Sequence, residues 1–310
     1  MILVLDRLGT AQGFSMSLSN QEISRYSRQM ILPELGMKGQ QNLKNGSVLV
    51  VGLGGLGSPA SMFLAASGIG KLGLVDYDVV EISNLHRQVI HGEKTVGVPK
   101  AESAKTFLEN LNPHVNIEVF KEPFTTANAL EIVKNFDVIL DCTDNAASRY
   151  LLNDAAVISK KPLVSGSALR FEGQLITYNY KGGPCYRCIF PVPPPPEFVT
   201  NCSDGGVLGA VPGTIGTLQA LAISLSVVCG ASYVGKMLLF DGFRGSFTEV
   251  KMRSRQPTCS VCGDNPTILA LLEDYPQFCG AGQKRGIAQI FERISPSDYK
   301  EIVTAQQPHI

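Results

Sequence analysis

The chain has 310 residues, 44% of them hydrophobic and 17% charged, enough to build one large domain or a domain with an appended lobe, and this excludes disorder throughout. Its 27 Lys and Arg balance its 27 Asp and Glu, so no net field directs it to nucleic acid or to an anionic membrane, and direct nucleic-acid binding is not expected. The N-terminal "MILVLDRLG" has neither the basic lead nor the small-residue cleavage site of a signal peptide, so a leader over residues 1–18 and a cytoplasmic protein are the expectations.

Ser19 followed by Glu22 has capping-box spacing and predicts a helix through "NQEISRYSRQMIL"; "MKGQQNLKNG" predicts a second helix closed by Gly46. "SVLVVG" is a continuous apolar run of the kind buried on both faces of a parallel sheet. A helix follows Gly57, starting with Pro59 and stopping at Gly68, and "KLGLVD" supplies the next strand. In "PKAESAKTFLENLNP", Ala101, Ala104, Leu108 and Leu111 share one helical face. "NIEVF" reads as a strand, "NALEIVKNF" as a helix and "DVILDCTDN" as another buried strand. Such alternation predicts an α/β fold, a doubly wound, mostly parallel Rossmann-like sheet.

After about residue 163, "LVSGSALRFEGQLITYNY" and "MLLFDGFRGSFTEVKMRSR" alternate like antiparallel strands and are expected to extend the sheet. Between them, the prolines of "FPVPPPPEFVTNCSDGGVLG" (190–209) suit a surface crossover. "GTIGTLQALAISLSVVCGASYVG" (213–235) is diluted by Gly, Ser, Thr and Gln, and reads as a buried helix rather than a membrane span.

Gly52, Gly54 and Gly57 satisfy G-x-G-x-x-G, and Asp76 ends the next strand where a ribose-binding acid belongs. This is a nucleotide signal without being an NAD signal, because backbone N–H groups at a helix start hold any phosphate; tight packing without a ligand is the competing reading. Gly55 clears one more side chain from the approach. Lys100 stands in the first turn of a helix, against the macrodipole, and breaking a local rule there suggests a phosphate clamp, with a solvated surface lysine as the alternative. Arg87 is a second candidate clamp or an ordinary exposed arginine. Asp144, just past a buried strand, could hold Mg²⁺ across phosphate oxygens or simply cap the following helix.

Cys185 and Cys188, with Cys259 and Cys262, form two C-x₂-C hooks that predict one closed tetrahedral zinc site of structural type; two independent redox pairs are the alternative. Cys142 and Cys229 sit in apolar runs and read as packed hydrophobes, and Cys279 carries no assignment. Cys202 beside the crossover reads as a free surface thiol.

Taken in order, "RYSRQMILPELG", "GLGGLGSP", "DYDVVEISNLHRQ", "PKAESA", "DCTDN", "PLVSGSALRFEGQ", "GGPCYRC" and "CSVCG" resemble the ubiquitin-activating-type adenylyltransferases over residues 19–265, and within them the eukaryotic adenylyltransferase/sulfurtransferase branch. The resemblance implies ATP bound by Gly55, Asp76, the segment Ser83, Asn84, Leu85, His86 and Arg87, then Lys100, Asp144 and Asn145. It implies catalytic roles for Arg87, Lys100 and Asp144, for Arg28 reaching across a homodimer, and for Cys202 in sulfur transfer. The implied reaction is adenylation of the C-terminal glycine of a ubiquitin-like sulfur carrier ending in Gly-Gly, serving molybdenum cofactor synthesis, tRNA thiolation or both. The implied organisation is an adenylyltransferase domain over 19–290, with a nucleotide half at 46–160 and a zinc and carrier half at 161–265. Residues 291–310 then form a linker towards a missing rhodanese-like domain, so activation without sulfuration is expected. A silent partner of a ubiquitin-like protein, an enzyme activating a carboxylate on modified tRNA and an NAD dehydrogenase are the competing functions; the last leaves the cations and cysteines unexplained.

Overall fold

The structure, a computed structural model, describes residues 17–194, 205–229 and 233–280. Helix α1 (Asn20–Met30) opens on the expected capping box: Ser19 Oγ accepts the Glu22 N–H at 3.2 Å and the Glu22 carboxylate accepts the Ser19 N–H at 2.8 Å. α2 (Gly36–Asn45) ends at Gly46. Strands and helices then alternate: β1 (Ser47–Val51), α3 (Gly57–Ala66), β2 (Lys71–Val75), α4 (Lys100–Leu111), β3 (Asn116–Phe120), α5 (Ala129–Val133), β4 (Val138–Asp141) and α6 (Ala146–Ile158). The remainder comprises β5 (Leu163–Leu169), β6 (Glu172–Tyr178), α7 (Tyr186–Ile189), α8 (Ala210–Cys229), β7 (Lys236–Asp241), β8 (Ser246–Lys251) and α9 (Tyr275–Phe278).

The eight strands among the described residues join one sheet in the order β3-β2-β1-β4-β5-β6-β7-β8. The first five are parallel and the last three antiparallel, as the change of texture after residue 163 predicts. Strand order reverses between β1 and β4, so the crevice at their carboxyl ends is the natural ligand position. Helices cover both faces of β1: Val48 and Val50 pack into the cluster with α3, α4 and α8, Leu49 and Val51 into the cluster with α5 and α6. That two-sided burial is why the strand reads as an unbroken apolar run.

Two details depart from the sequence reading. α3 begins at Gly57, two residues before Pro59, because the glycine turn itself winds into the helix. α8 starts at Ala210 and is buried on one side only: Val211, Ile215 and Ile223 face the sheet, whereas Leu221 and Leu225 are 45% and 38% exposed. No helix among the described residues is long and apolar enough to cross a membrane.

The second half of the fold is held by a buried ion pair. Arg187 donates from Nε and Nη2 to the two oxygens of Asp154 at 2.8 and 2.7 Å, both side chains being at most 2% exposed. Tyr275 adds a third donor to Asp154 at 2.8 Å, and the rings of Tyr150 and Phe278 flank the guanidinium at 4.8 and 4.7 Å. Removing one partner of such a pair strands the other charge. Arg187→Met is therefore expected to lower unfolding stability by about 3–5 kcal/mol, read as a fall in the denaturant midpoint, and Arg187→Met combined with Asp154→Leu should lose less than the single variant.

Candidate functional site

The turn joining β1 to α3 is built on two backbone approaches that only glycine permits. Gly52 has φ +92°, and a Cβ there would stand 2.7 Å from the Cys142 carbonyl oxygen; a Cβ on Gly57 would stand 1.9 Å from the Gly52 carbonyl oxygen. A Cβ on Gly55 would press on Pro212 at 3.0 Å and come 3.4 Å from Arg87 Cγ, so this glycine admits α8 and the Arg87 stem to the turn.

Asp76, at the end of β2, braces that turn: its Oδ2 accepts the Leu53 N–H at 2.7 Å and its Oδ1 the Asp78 N–H at 2.9 Å. Burial pushes its carboxyl above the usual range, opposed by the nearby Lys100 charge and by these two bonds. Lys100 is not a surface lysine. It is 6% exposed, its N–H donates to the Asp78 carbonyl and its Nζ pairs with the Asp78 carboxylate at 2.8 Å. The unfavourable charge at the first turn of α4 is thus offset by an acid that the sequence reading missed.

His91 was missed as well. It is buried beneath the glycine turn, with Nδ1 2.8 Å from Ser103 Oγ and Nε2 3.4 Å from the Leu53 carbonyl oxygen. Burial, with the Lys100 charge, lowers its pKa to about 4, so at neutral pH it is an uncharged prop. A lone His in a segment without periodicity gives no sequence signal; its place between Arg87 and Lys100 was the only clue.

The segment Ser83 to Arg87 runs from a 3-10 turn at Ile82–Asn84 towards the same edge. Asn84 is buried, Leu85 half-buried, and Ser83 and His86 exposed. Arg87 is half-buried, with its Nη1 3.0 Å from the Ser83 carbonyl and 2.8 Å from His86 Nε2.

Asp144 lies three residues past β4, exposed and without a hydrogen-bond or ion-pair partner among the described residues. It is not the cap of α6: that position belongs to Asn145, whose Oδ1 accepts the Ser148 N–H at 2.8 Å. Arg28 is not brought to this edge. α1 is tied to the far ends of α3 and α4, through Arg25 to the Leu111 carbonyl, Gln29 to the Ser67 carbonyl and Asn112 to Tyr26. The 10-residue α3 alone separates the two ends by roughly 15 Å.

The two C-x₂-C hooks do converge. Their four Sγ atoms lie within 4.8 Å of one another, with separations of 3.9, 3.6 and 3.4 Å recorded for Cys185–Cys188, Cys185–Cys259 and Cys188–Cys262. A tetrahedron with metal–sulfur bonds of about 2.3 Å has edges of about 3.8 Å, so the four thiols fit one ion and not two separate redox pairs. Bonds from Cys185, Cys262 and the Gln256 N–H hold the Cys188 thiol well below its ordinary range. Cys142 is a packed residue whose thiol burial pushes well up, and Cys279 is partly buried beside Arg187. Cys202, the leader to residue 16 and the segment 291–310 lie outside the described residues, as does the side chain of Cys229.

Sheet order and glycine turn define a doubly wound α/β protein of the Rossmann class, extended by antiparallel strands and a four-cysteine cluster that could hold a metal. The chain belongs to the ThiF family, whose pattern it matches over residues 26–261. It is 55% identical over 299 residues to the adenylyltransferase and sulfurtransferase MOCS3 of Drosophila yakuba, covering 94% of this chain and 66% of that protein. Against MOCS3 of Danio rerio the identity is 52% over 301 residues, covering 95% and 65%. The chain thus spans about two thirds of the length of these relatives. Its fold is also that of E. coli MccB, solved with MccA-N7isoASN: the TM-score is 0.69 at 24% identity, covering 79% of this chain and 76% of that one.

Two outcomes follow from the geometry. His91 has a folded pKa below its ordinary 6.5, so the unfolded chain binds the extra proton and stability falls as pH drops from about 6.5 to about 4. The melting temperature should decline over that window, and His91→Gln should flatten the decline. The purified protein should carry about one metal ion per chain, lost together with thermal stability in Cys185→Ser, as measured by metal analysis and a melting scan.

Proposed function

We propose that this chain adenylates the C-terminal glycine of a ubiquitin-like sulfur carrier ending in Gly-Gly. The carrying observation is the one edge where the glycine turn, the buried Lys100 and an Asp144 carboxylate left free by Asn145 stand together. The naming of the 52–55% identical relatives as adenylyltransferase and sulfurtransferase supports the same reading.

On this reading ATP sits over the turn at Gly55, its ribose against Asp76 and its phosphates near Lys100, Arg87 and the Ser83–Arg87 segment. The carrier carboxylate attacks the α-phosphorus, pyrophosphate leaves, and the acyl group remains as a mixed anhydride with AMP. A carboxylate needs no general base to attack, so positioning and charge suffice, and the neutral His91 has a supporting place only. Asp144 would hold Mg²⁺, which supplies neutralisation of the leaving pyrophosphate. Zn²⁺ suits the Cys185, Cys188, Cys259 and Cys262 cluster, whose four sulfurs leave no open position and so assign the ion to structure. The domain organisation proposed is one adenylyltransferase unit over 19–290, in the cytoplasm. Cys202 keeps its assignment to sulfur transfer after the adenylate has formed, for molybdenum cofactor synthesis, tRNA thiolation or both.

Arg28 lies too far from its own edge to contact bound phosphates, so the proposed dimer supplies it from the partner. Pyrophosphate exchange into ATP should require the intact carrier and disappear in Asp144→Asn and in Arg28→Ala. Mixing these two dead variants should restore about a quarter of the activity, because half the dimers are mixed and one of their two sites is whole. A mixture as inactive as its parts overturns the shared site, and exchange in Asp144→Asn alone overturns the role of Asp144.

A further inference from the structure

Helix α8 lies against both the glycine turn and the strand that leads to Asp144. Pro212, Gly216 and Gln219 follow one another at steps of four and three residues and so share one of its faces. The first two rest on the turn: a Cβ on Gly55 would meet Pro212 at 3.0 Å, and a Cβ on Gly216 would stand 2.1 Å from the Leu56 carbonyl oxygen. The third reaches the sheet.

Gln219 is fully buried, and its amide sits at the end of the β4–β5 pairing, beside the last paired residues, Asp141 and Ser165. Its Nε2 donates to the Asp141 carbonyl at 2.8 Å and to the Val164 carbonyl at 3.3 Å, one acceptor from each strand, while its Oε1 accepts the Cys142 thiol at 3.6 Å. Two carbonyl acceptors fix which end of the amide faces the sheet. Gly166 makes the room, because a Cβ there would stand 2.6 Å from the amide carbon of Gln219. A buried polar group satisfied at both ends sets a geometry as well as filling space. The strand it holds is the one that matters at the ligand edge: the Cys142 carbonyl is the group that Gly52 approaches, and the Asp141 carboxylate accepts the Thr143 N–H and hydroxyl at 3.0 and 2.7 Å. Asp144, without a side-chain partner among the described residues, is placed by that backbone alone.

We infer that Gln219 is a positioning residue for adenylation: from α8 it sets the end of β4, and with it the Asp144 carboxylate, at a fixed place relative to the glycine turn. The inference rests on the adenylyltransferase reading and adds to it a residue that lies outside the nucleotide motifs. Being fully buried, Gln219 touches no substrate and acts through Asp141 and Cys142. The amide is specific to the task. A methionine of similar length has no donor for the two carbonyls, and a glutamate carboxylate would face them with no N–H. Catalysis by positioning is steep in distance, a misplacement of about 1 Å costing roughly 100-fold, so a slight relaxation of the β4 end reaches the rate while the fold stays in place.

The test uses the full chain in pyrophosphate exchange with a ubiquitin-like carrier ending in Gly-Gly, and Mn²⁺ binding beside a non-hydrolysable ATP analogue as a probe of the Asp144 carboxylate. Gln219→Met should lower kcat by roughly 10- to 100-fold, with KM for the carrier within about twofold of wild type. Its Mn²⁺ affinity should fall by roughly 10-fold. In an Asp144→Asn background the same substitution should change Mn²⁺ affinity by less than about twofold, because the residue acts through Asp144. Gly166→Ala, which displaces the amide without removing it, should reproduce both losses, and Gly166→Ala combined with Gln219→Met should lose no more than Gln219→Met alone. A role confined to stability would lower the melting temperature with no such dependence on Asp144. Wild-type kcat and Mn²⁺ affinity in Gln219→Met, or a loss of affinity that persists in the Asp144→Asn background, overturns the inference and leaves the adenylation reading intact. Absence of exchange by wild type with any carrier overturns both. If Gln219→Met fails to fold, Gly166→Ala decides by the same two readouts.

Discussion

Two close backbone approaches, between Gly57 and the Gly52 carbonyl and between Gly52 and the Cys142 carbonyl, fix the ligand edge. Because nothing stands between them, the first turn of α3 lies flush against the ends of β1 and β4. Leu53 is thereby held so that its N–H meets Asp76 and its carbonyl faces His91. One residue thus ties the end of β2 to the segment before α4, where Lys100 and Asp78 are paired. A methyl group at either glycine would force these strands apart and separate the groups assigned to ribose and phosphate.

A second organising element is α6, which serves both halves of the fold. Its first turn carries Asn145 and Arg149 at the edge of β4, and its later turns carry Asp154, the buried anchor of Arg187. Asn145 and Asp154 lie nine residues apart, roughly 13 Å along the axis. Arg187 sits between Cys185 and Cys188, so the four-cysteine cluster and the ligand edge are joined by one helix. The cluster closes a loop of some 70 residues between its hooks, a closure whose chain-entropy cost a shared metal ion would offset. It places α7 and Phe190 over the β5–β6 groove, and its remote position suits an indirect effect on chemistry.

Much of this was legible in the sequence because period and punctuation follow directly from packing. Apolar runs marked β1, β2 and β4, the capping box marked α1, and paired C-x₂-C spacing marked the cluster. What escaped is what periodicity does not encode. The pairing of Lys100 with Asp78, 22 residues away, needs the turn between them to be known, and without it a solvated surface lysine stood as the alternative to a clamp. Gln219 bonds the Asp141 and Val164 carbonyls from α8 and occupies space that Gly166 leaves open, yet in sequence it is one polar residue in an apolar helix. The exposure of Leu221 and Leu225 was hidden for the same reason: a helix with weak amphipathic pattern does not say which side meets solvent.

The charges at the ligand edge also bear on assembly. A triphosphate brings about four negative charges, while Lys100 is already paired with Asp78 and Arg87 bonds the uncharged Ser83 carbonyl. Asp76 and Asp144 add further negative charge to the same crevice. On the proposed reading, a polyanion there gains from further positive charge, either a divalent ion at Asp144 or a cation from a second chain. Arg28 is exposed on a helix tied to the opposite end of α3 and α4, where it can serve no phosphate of its own chain. On the proposed reading, charge and distance both suit a site completed by a second chain, with a divalent ion and that chain's arginine adding to the positive charge of Lys100 and Arg87.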